Sequence, residues 1–175
     1  YKISEALSGE EFEIPPIIGL TGFKGVGKST LADKIGGKVI SFSTPIKEML
    51  EVIIPRRFLY KEKEAQIAGF PEGVTARICL QTLGTEWGRA MYPDIWVNFA
   101  EIAILAYQIE ARSKQISERI ILDDVRFENE CQMIKSHNGE IWRVIRSGVG
   151  SNDNHVSEAG IADEIVNLSL IHISE

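Results

Sequence analysis

This 175-residue chain offers little for covalent or metal stapling: its two cysteines, Cys79 and Cys131, lie far apart and without metal-ligand spacing. Both fall in helical patterns, so they read as reduced, buried side chains of a protein from a reducing compartment. Positive charge is also scarce. With 19 Lys and Arg against 25 Asp and Glu, the net charge is −6 and the pI about 5.2. That balance argues against a general nucleic-acid binder, whose affinity comes from clustered cations. Any site for a polyanion must be locally basic on an acidic surface. No apolar run approaches the roughly 18 residues of a membrane span, and no signal peptide is legible, so a cytoplasmic protein off the membrane is expected. Aromatics are few, and internal repeats and low-complexity tracts are missing. What remains is an ordinary globular composition, 44% hydrophobic and 25% charged, at a length that suits one domain with a proper core.

Apolar runs and helical patterns alternate along the chain. PPIIGLTG reads as a buried strand, the segment from Lys28 to residue 35 as a helix, and KVISFS (38–43) as a second strand. Pro45 suits a first helical turn, capped by Ser43 or Thr44, and opens PIKEMLEVI. KEKEAQIA (61–68) is a candidate short exposed helix, followed by helices over 74–91 and 93–115. ERIILDDV is a β-branched strand ending in acids, RFENECQMIKSHNG a helix stopped by Asn138-Gly139, EIWRVIR a strand, and EIVNLSLI a last strand. Strands alternating with helices predict the α/β class, with a mostly parallel sheet covered on both faces.

GLTGFKGVGKST carries the first chemistry. Residues 22–29 fit G-x-x-x-x-G-K-[ST] in full, between a strand and a helix, which is the context the motif requires. Gly22, Gly25 and Gly27 let the backbone of Phe23, Lys24 and Val26 wrap a phosphate with its N–H groups turned inward. The helix that starts near Lys28 adds its positive dipole end, extending the cradle through Ser29 and Thr30. Lys28 can reach the β and γ phosphates of a nucleoside triphosphate, and the Ser29 hydroxyl can ligate Mg²⁺. A partner acid is then needed at a neighbouring strand end. Asp123 and Asp124 both qualify, with Asp124 preferred.

A phosphate acceptor is suggested by RICLQTLGTEWGR (77–89). At about 100° per residue, Cys79, Leu80, Leu83, Trp87, Ala90 and Met91 fall on one arc, which is expected to face the core. Arg77, Gln81, Thr85 and Arg89 drift along the opposite side, with Gly84 and Gly88 as gaps beside them. Arginine's planar fork suits bidentate phosphate binding, and Gln and Thr can read polar edges of a base or sugar. Further cations sit at motif boundaries: Lys47 one turn into its helix, Arg126 directly after the strand-end acids, and Arg143 and Arg146 on the strand that enters the polar loop 147–163. The last two are expected on the same face of that strand. Several fixed cations are the usual answer to the charge that gathers when two phosphates meet. The loop itself is polar and Gly-rich, as a mobile lid would be.

Together, GFKGVGKST, SFSTPIKEML, ARICLQTLGTEWGR with WVNFAE, ILDDVRFENE and VIRSG…SNDNHVSEAGI closely resemble the deoxynucleoside monophosphate kinases of tailed bacteriophages, in order over roughly residues 17–168. The resemblance implies a P-loop three-layer α/β/α sandwich with a five-stranded sheet. Its core would be residues 14–44 and 116–175, with a helical monophosphate-binding segment over 45–115 and a short lid. It implies ATP and Mg²⁺ as the donor pair, a deoxynucleoside monophosphate as acceptor, and small molecules rather than a nucleic-acid polymer or membrane as partners; a homodimer stays open. The P-loop match supports Lys28 and Ser29, and the D-x-R match selects Asp124 and Arg126. Matches around LGTE and P-x-K place Arg77, Gln81, Thr85 and Lys47 on the monophosphate side. His155, Ser157 and Glu158 are marked in the lid without a derived role. Residues 52–76 are compact where relatives carry a longer insertion, and NLSLIHISE stands where they tend to an Asn-Asp-Gly turn and a helix. Rival readings are a small-metabolite kinase on the same scaffold, or a nucleotide-switched ATPase that hydrolyses without an acceptor.

Overall fold

The computed structural model describes residues 16–115, 119–146 and 161–172, with side chains through 169. Five strands form one sheet in the order β2-β3-β1-β4-β5: β1 (Ile17–Thr21), β2 (Lys38–Ile40), β3 (Ile120–Leu122), β4 (Glu140–Arg146) and β5 (Leu168–His172). Every pairing is parallel. Of the three inner strands, β1 and β3 read in sequence as short apolar runs, and both are buried along their whole length. That is what a parallel strand with both faces covered demands. Alternation of strand and helix was therefore a sound guide to the α/β class.

The helices are α1 (Lys28–Ile35), α2 (Thr44–Leu50), α3 (Arg56–Tyr60), α4 (Ala76–Gln81), α5 (Ile95–Lys114) and α6 (Glu128–Ser136). A π-helix over Thr82–Arg89 continues α4 without a break. The chain divides into two compact units. One holds residues up to Ser41 and from Glu101 onward, with the whole sheet; the other is Phe42–Ala100. The division falls inside α5, so most of that helix, from Glu101 onward, belongs with the sheet rather than with the helical segment expected over 45–115.

In the first unit, Ile18, Leu20, Val26, Leu31, Ala32, Ile121, Trp142 and Val144 make a buried cluster that joins β1, β3 and β4 to the phosphate loop and α1. From β1 the chain leaves toward β2, and from β4 toward β5, so the connections diverge between adjacent strands β1 and β4. Ligands of open α/β sheets bind at such a point, outside the carboxyl ends of the strands.

Several boundaries differ from the sequence reading. KEKEAQIA is not helical. The Gln66 amide donates to the carbonyls of Phe70 (3.2 Å) and Pro71 (3.0 Å) and accepts from the Gly73 N–H (2.9 Å), stapling a loop instead. A side chain that satisfies the backbone locally competes with the helix ladder. The short helix comes earlier, at α3, behind Pro55. β2 stops at Ile40, and the last strand starts only at Leu168, because Asp163–Ile165 close a 3-10 turn before it. At the end of α6 the left-handed residue is Asn138 (φ 57), so the stop falls on the Asn of the Asn-Gly pair. Cys131 is buried and unpaired as expected, whereas Cys79 is unpaired but only half-buried.

Candidate active site

The phosphate loop hangs from the carboxyl end of β1. Gly22 has φ +134, and a Cβ there would stand 2.4 Å from the carbonyl oxygen of Val144 on β4, so only glycine fits. Gly27, at φ 97, turns the chain from loop into α1. Val26 is buried in the core cluster and anchors the loop from beneath, while Phe23, Lys24 and Gly25 face solvent. The exposed Ser29 and Thr30 lie in the first turn of α1. Lys28 folds back over the loop: its Nζ donates to the Gly22 carbonyl at 2.5 Å and to the Phe23 carbonyl at 3.0 Å. The loop's cation is thus held at the mouth of its own cradle.

The strand-end acids stand next to it. β3 pairs with β1 through Gly19 and Leu122. Beyond the strand, the Val125 N–H donates to the Leu20 carbonyl (3.1 Å), two residues before the loop begins. Val125 is buried, and Asp124 and Arg126 flank it as half-buried side chains. Asp123 accepts a short hydrogen bond from the Ser41 hydroxyl, just past β2. Asp123 thereby ties two strand ends together. Ser29 and Asp124 are hard oxygen donors on neighbouring elements, a donor set that suits Mg²⁺.

The arginines of β4 separate. A strand alternates its side chains with a period of two, so Arg143 and Arg146, three positions apart, occupy opposite faces. The expectation that they share a face is wrong. Arg143 is half-buried and bonds the Asp163 carboxylate and the Ile161 carbonyl, which gives it a structural task at the start of the last turn. Arg146 ends the strand, exposed. His155, Ser157, Glu158 and most of the lid segment lie outside the described residues.

In the second unit the acceptor stretch is wound differently from the expectation. Trp87 (48% exposed) and Met91 (61%) face solvent, while Gly84 and Gly88 are buried. Trp96, 2% exposed, packs on the glycines and donates its indole N–H to the Gly84 carbonyl at 2.7 Å. A Cβ on Gly88 would lie 2.4 Å from the Trp96 ring, and one on Gly84 would lie 3.0 Å from Ile46. The gaps are therefore filled by Trp96 and Ile46, and the supposed core arc is partly a surface. The cause is the π winding. Bonds running i→i+5 turn less than 100° per residue, so an α-helical wheel misassigns the faces after Gln81.

Gln81 and Thr85 are half-buried, four residues apart, at the start and middle of this altered turn. Arg77 precedes them in α4 as a half-buried cation. Its Nε donates to Glu64 at 2.9 Å, and its side chain is only 15% exposed. Arg89 donates to the Pro93 carbonyl at 3.1 Å, holding the exit from the helix. In α2, the Lys47 ammonium lies 5.3 Å from the Tyr60 ring centre, and the Tyr60 hydroxyl donates to Glu51 (2.8 Å). Lys47, Arg77, Gln81 and Thr85 thus share the helical unit, while the loop residues, Asp124, Arg126 and Arg146 share the sheet unit.

Sequence reading missed one functional candidate. Glu130, 2% exposed, accepts the N–H groups of Arg126 (2.7 Å) and Phe127 (3.0 Å) on its Oε2. The acid three residues into a helix was a readable signal, but the cap here is Phe127, which lacks the hydroxyl that normally marks a capping box.

A putative deoxynucleotide monophosphate kinase of Acanthamoeba polyphaga mimivirus is 31% identical over 160 residues, covering 81% of this chain and 80% of that protein. A dephospho-CoA kinase from Campylobacter jejuni is similar in structure at a TM-score of 0.45 and 12% identity, over 91% of this chain and 89% of its own. Residues 54–170, which span the acceptor stretch, the Asp124–Arg126 turn and β4, match the family described as deoxynucleotide monophosphate kinase; the chain belongs to that family.

Proposed function

We propose that the protein transfers the γ-phosphoryl group of ATP to a deoxynucleoside monophosphate, giving ADP and a deoxynucleoside diphosphate. An oxygen of the acceptor phosphate forms the new P–O bond as the bond from the γ-phosphorus to its bridging oxygen breaks, and the electron pair leaves with ADP. Family membership supports a phosphotransferase with this acceptor class over a simple ATPase or a small-metabolite kinase. The residue roles rest above all on one observation: the Val125 N–H on the Leu20 carbonyl, which sets Asp124 and Arg126 beside the strand that feeds the phosphate loop.

In this reading the backbone of 22–27 and Lys28 hold the β and γ phosphates. Their charge would draw Lys28 off the Gly22 and Phe23 carbonyls. Ser29 and Asp124 would hold Mg²⁺, which when bound neutralises phosphate charge. Arg126 stabilises the charge on the moving group, and Arg146 adds a cation on the ATP side. Lys47 and Arg77, together with Arg126, bind the acceptor phosphate, and Gln81 and Thr85 read the base or sugar. Fixed donors aimed at developing charge, with the two phosphates held in line, account for most of such a rate enhancement. The phage-like resemblance and the mimivirus relative support a virus-encoded enzyme working in the host cytoplasm on dNTP precursors.

Incubation with ATP·Mg²⁺ and each of the four deoxynucleoside monophosphates, followed by chromatography, is the test. Equimolar ADP and diphosphate product from at least one acceptor is expected. ADP without a matching diphosphate sinks the reading.

A further inference from the structure

Three consecutive backbone N–H groups follow Asp124, and each has a fixed acceptor. Val125 donates to the Leu20 carbonyl (3.1 Å), and Arg126 (2.7 Å) and Phe127 (3.0 Å) both donate to one oxygen of Glu130. Leu20 belongs to β1 and Glu130 to α6, so the turn is clamped from both sides. The clamp on the Arg126 side is a carboxylate that is 2% exposed. Burying a carboxylate is costly unless its bonds are well made. A helix start alone does not require that cost, since an exposed Ser or Asp caps a helix as well. The two amides that Glu130 takes lie in the segment that aims Arg126.

We propose that Glu130 is a positioning residue for phosphoryl transfer, fixing the backbone of Arg126 so that its guanidinium meets the transferring group. The inference rests on the reading of Arg126 given above. Because both bonds go to a single oxygen, Gln at this position keeps the acceptor where it is needed. Asp withdraws it by one methylene, and Ala removes it.

The test compares kcat at saturating ATP and acceptor for E130Q, E130D, E130A, R126A and the double variant R126A/E130A, alongside amide exchange at Arg126 and Phe127. We expect E130D and E130A to lose about 10- to 100-fold in kcat, the scale of misplacing a charge-stabilising group by about 1 Å, and E130Q to stay within about threefold. The KM for ATP should hold, because the phosphate loop is untouched. In the R126A background, E130A should cost nothing further, as expected for residues that act as one unit. Exchange at the two amides should accelerate in E130A and E130D but not in E130Q. Should E130A fail to fold, E130D, which keeps the charge and the helix-initiating acid, carries the comparison.

An additive loss in the R126A background would overturn the inference, as would wild-type kcat in a folded E130D or E130A whose amides exchange freely. Wild-type kcat in R126A would instead remove the role of Arg126. ADP release by the native enzyme that ignores every monophosphate would remove the kinase reading itself, so the three failures are distinguishable.

Discussion

At the residue scale, Lys28 is held by the loop it belongs to. Its ammonium bonds two loop carbonyls, Gly22 and Phe23, and on the proposed function those bonds are what a triphosphate replaces. Lys28→Ala should therefore abolish measurable ATP binding while barely changing the melting temperature of the free protein; calorimetry and thermal unfolding check the two halves. Arg126→Ala should cut kcat by about 10²-fold or more, the scale of losing one charge-stabilising donor, and a near-normal value would remove it from the site. The cysteines give a pH prediction. Burial, with a smaller push from the Glu130 charge, raises the Cys131 thiol from 9.0 to about 12, and burial raises Cys79 as well. A folded pKa raised above the unfolded one leaves stability intact below about pH 9 and erodes it as pH climbs toward 12, since only the unfolded thiol ionises in that window. Replacing Cys131 with Ala should flatten that alkaline slope in denaturant titrations. A thiol reagent at pH 8 should label Cys79 first, and Cys131 only on unfolding.

At the element scale, the phosphate loop with its strand and helix was legible because its geometry is local. Three glycines, a lysine and a hydroxyl at fixed spacing need no distant partner to define them, and α1 and β4 fall where the sequence puts them. The acceptor helix was legible in extent but not in winding. Along the π turn, Trp96 approaches from another helix, packs on Gly88 and donates to the Gly84 carbonyl; nothing within 82–89 announces that partner. Glu130 was overlooked for a related reason, since its partners are backbone amides, which carry no side-chain signature. That packing has a direct test. Gly88→Ala drives a methyl to 2.4 Å from the Trp96 ring and should cost about 1–3 kcal/mol in chemical denaturation. Gly84→Ala meets only the flexible end of Ile46 at 3.0 Å, and removing a glycine from a helix returns up to about 1 kcal/mol, so it should be close to neutral. Equal losses for the two would contradict that packing.

At the scale of the whole molecule, a net charge of −6 surrounds two groups of cations, and each group belongs to its own compact unit. The cations proposed for the donor lie with the sheet and those proposed for the acceptor lie with the helical unit, so on that proposal the two ligands should stabilise the protein separately. A ligand that binds only the native state adds about 2.7 kcal/mol at 100 times its dissociation constant. A non-hydrolysable ATP analogue with Mg²⁺ and a deoxynucleoside monophosphate should each raise the melting temperature. Arg77→Ala should remove the second shift and spare the first; loss of both, or of neither, would take Arg77 out of the acceptor site. The central claim, that this family member moves phosphate to an acceptor rather than to water, is tested most directly by the rate of ADP release with ATP·Mg²⁺, with and without each monophosphate. The account predicts little release from ATP alone and a saturable rise with at least one deoxynucleoside monophosphate. The same rate in the absence and presence of every acceptor would contradict it.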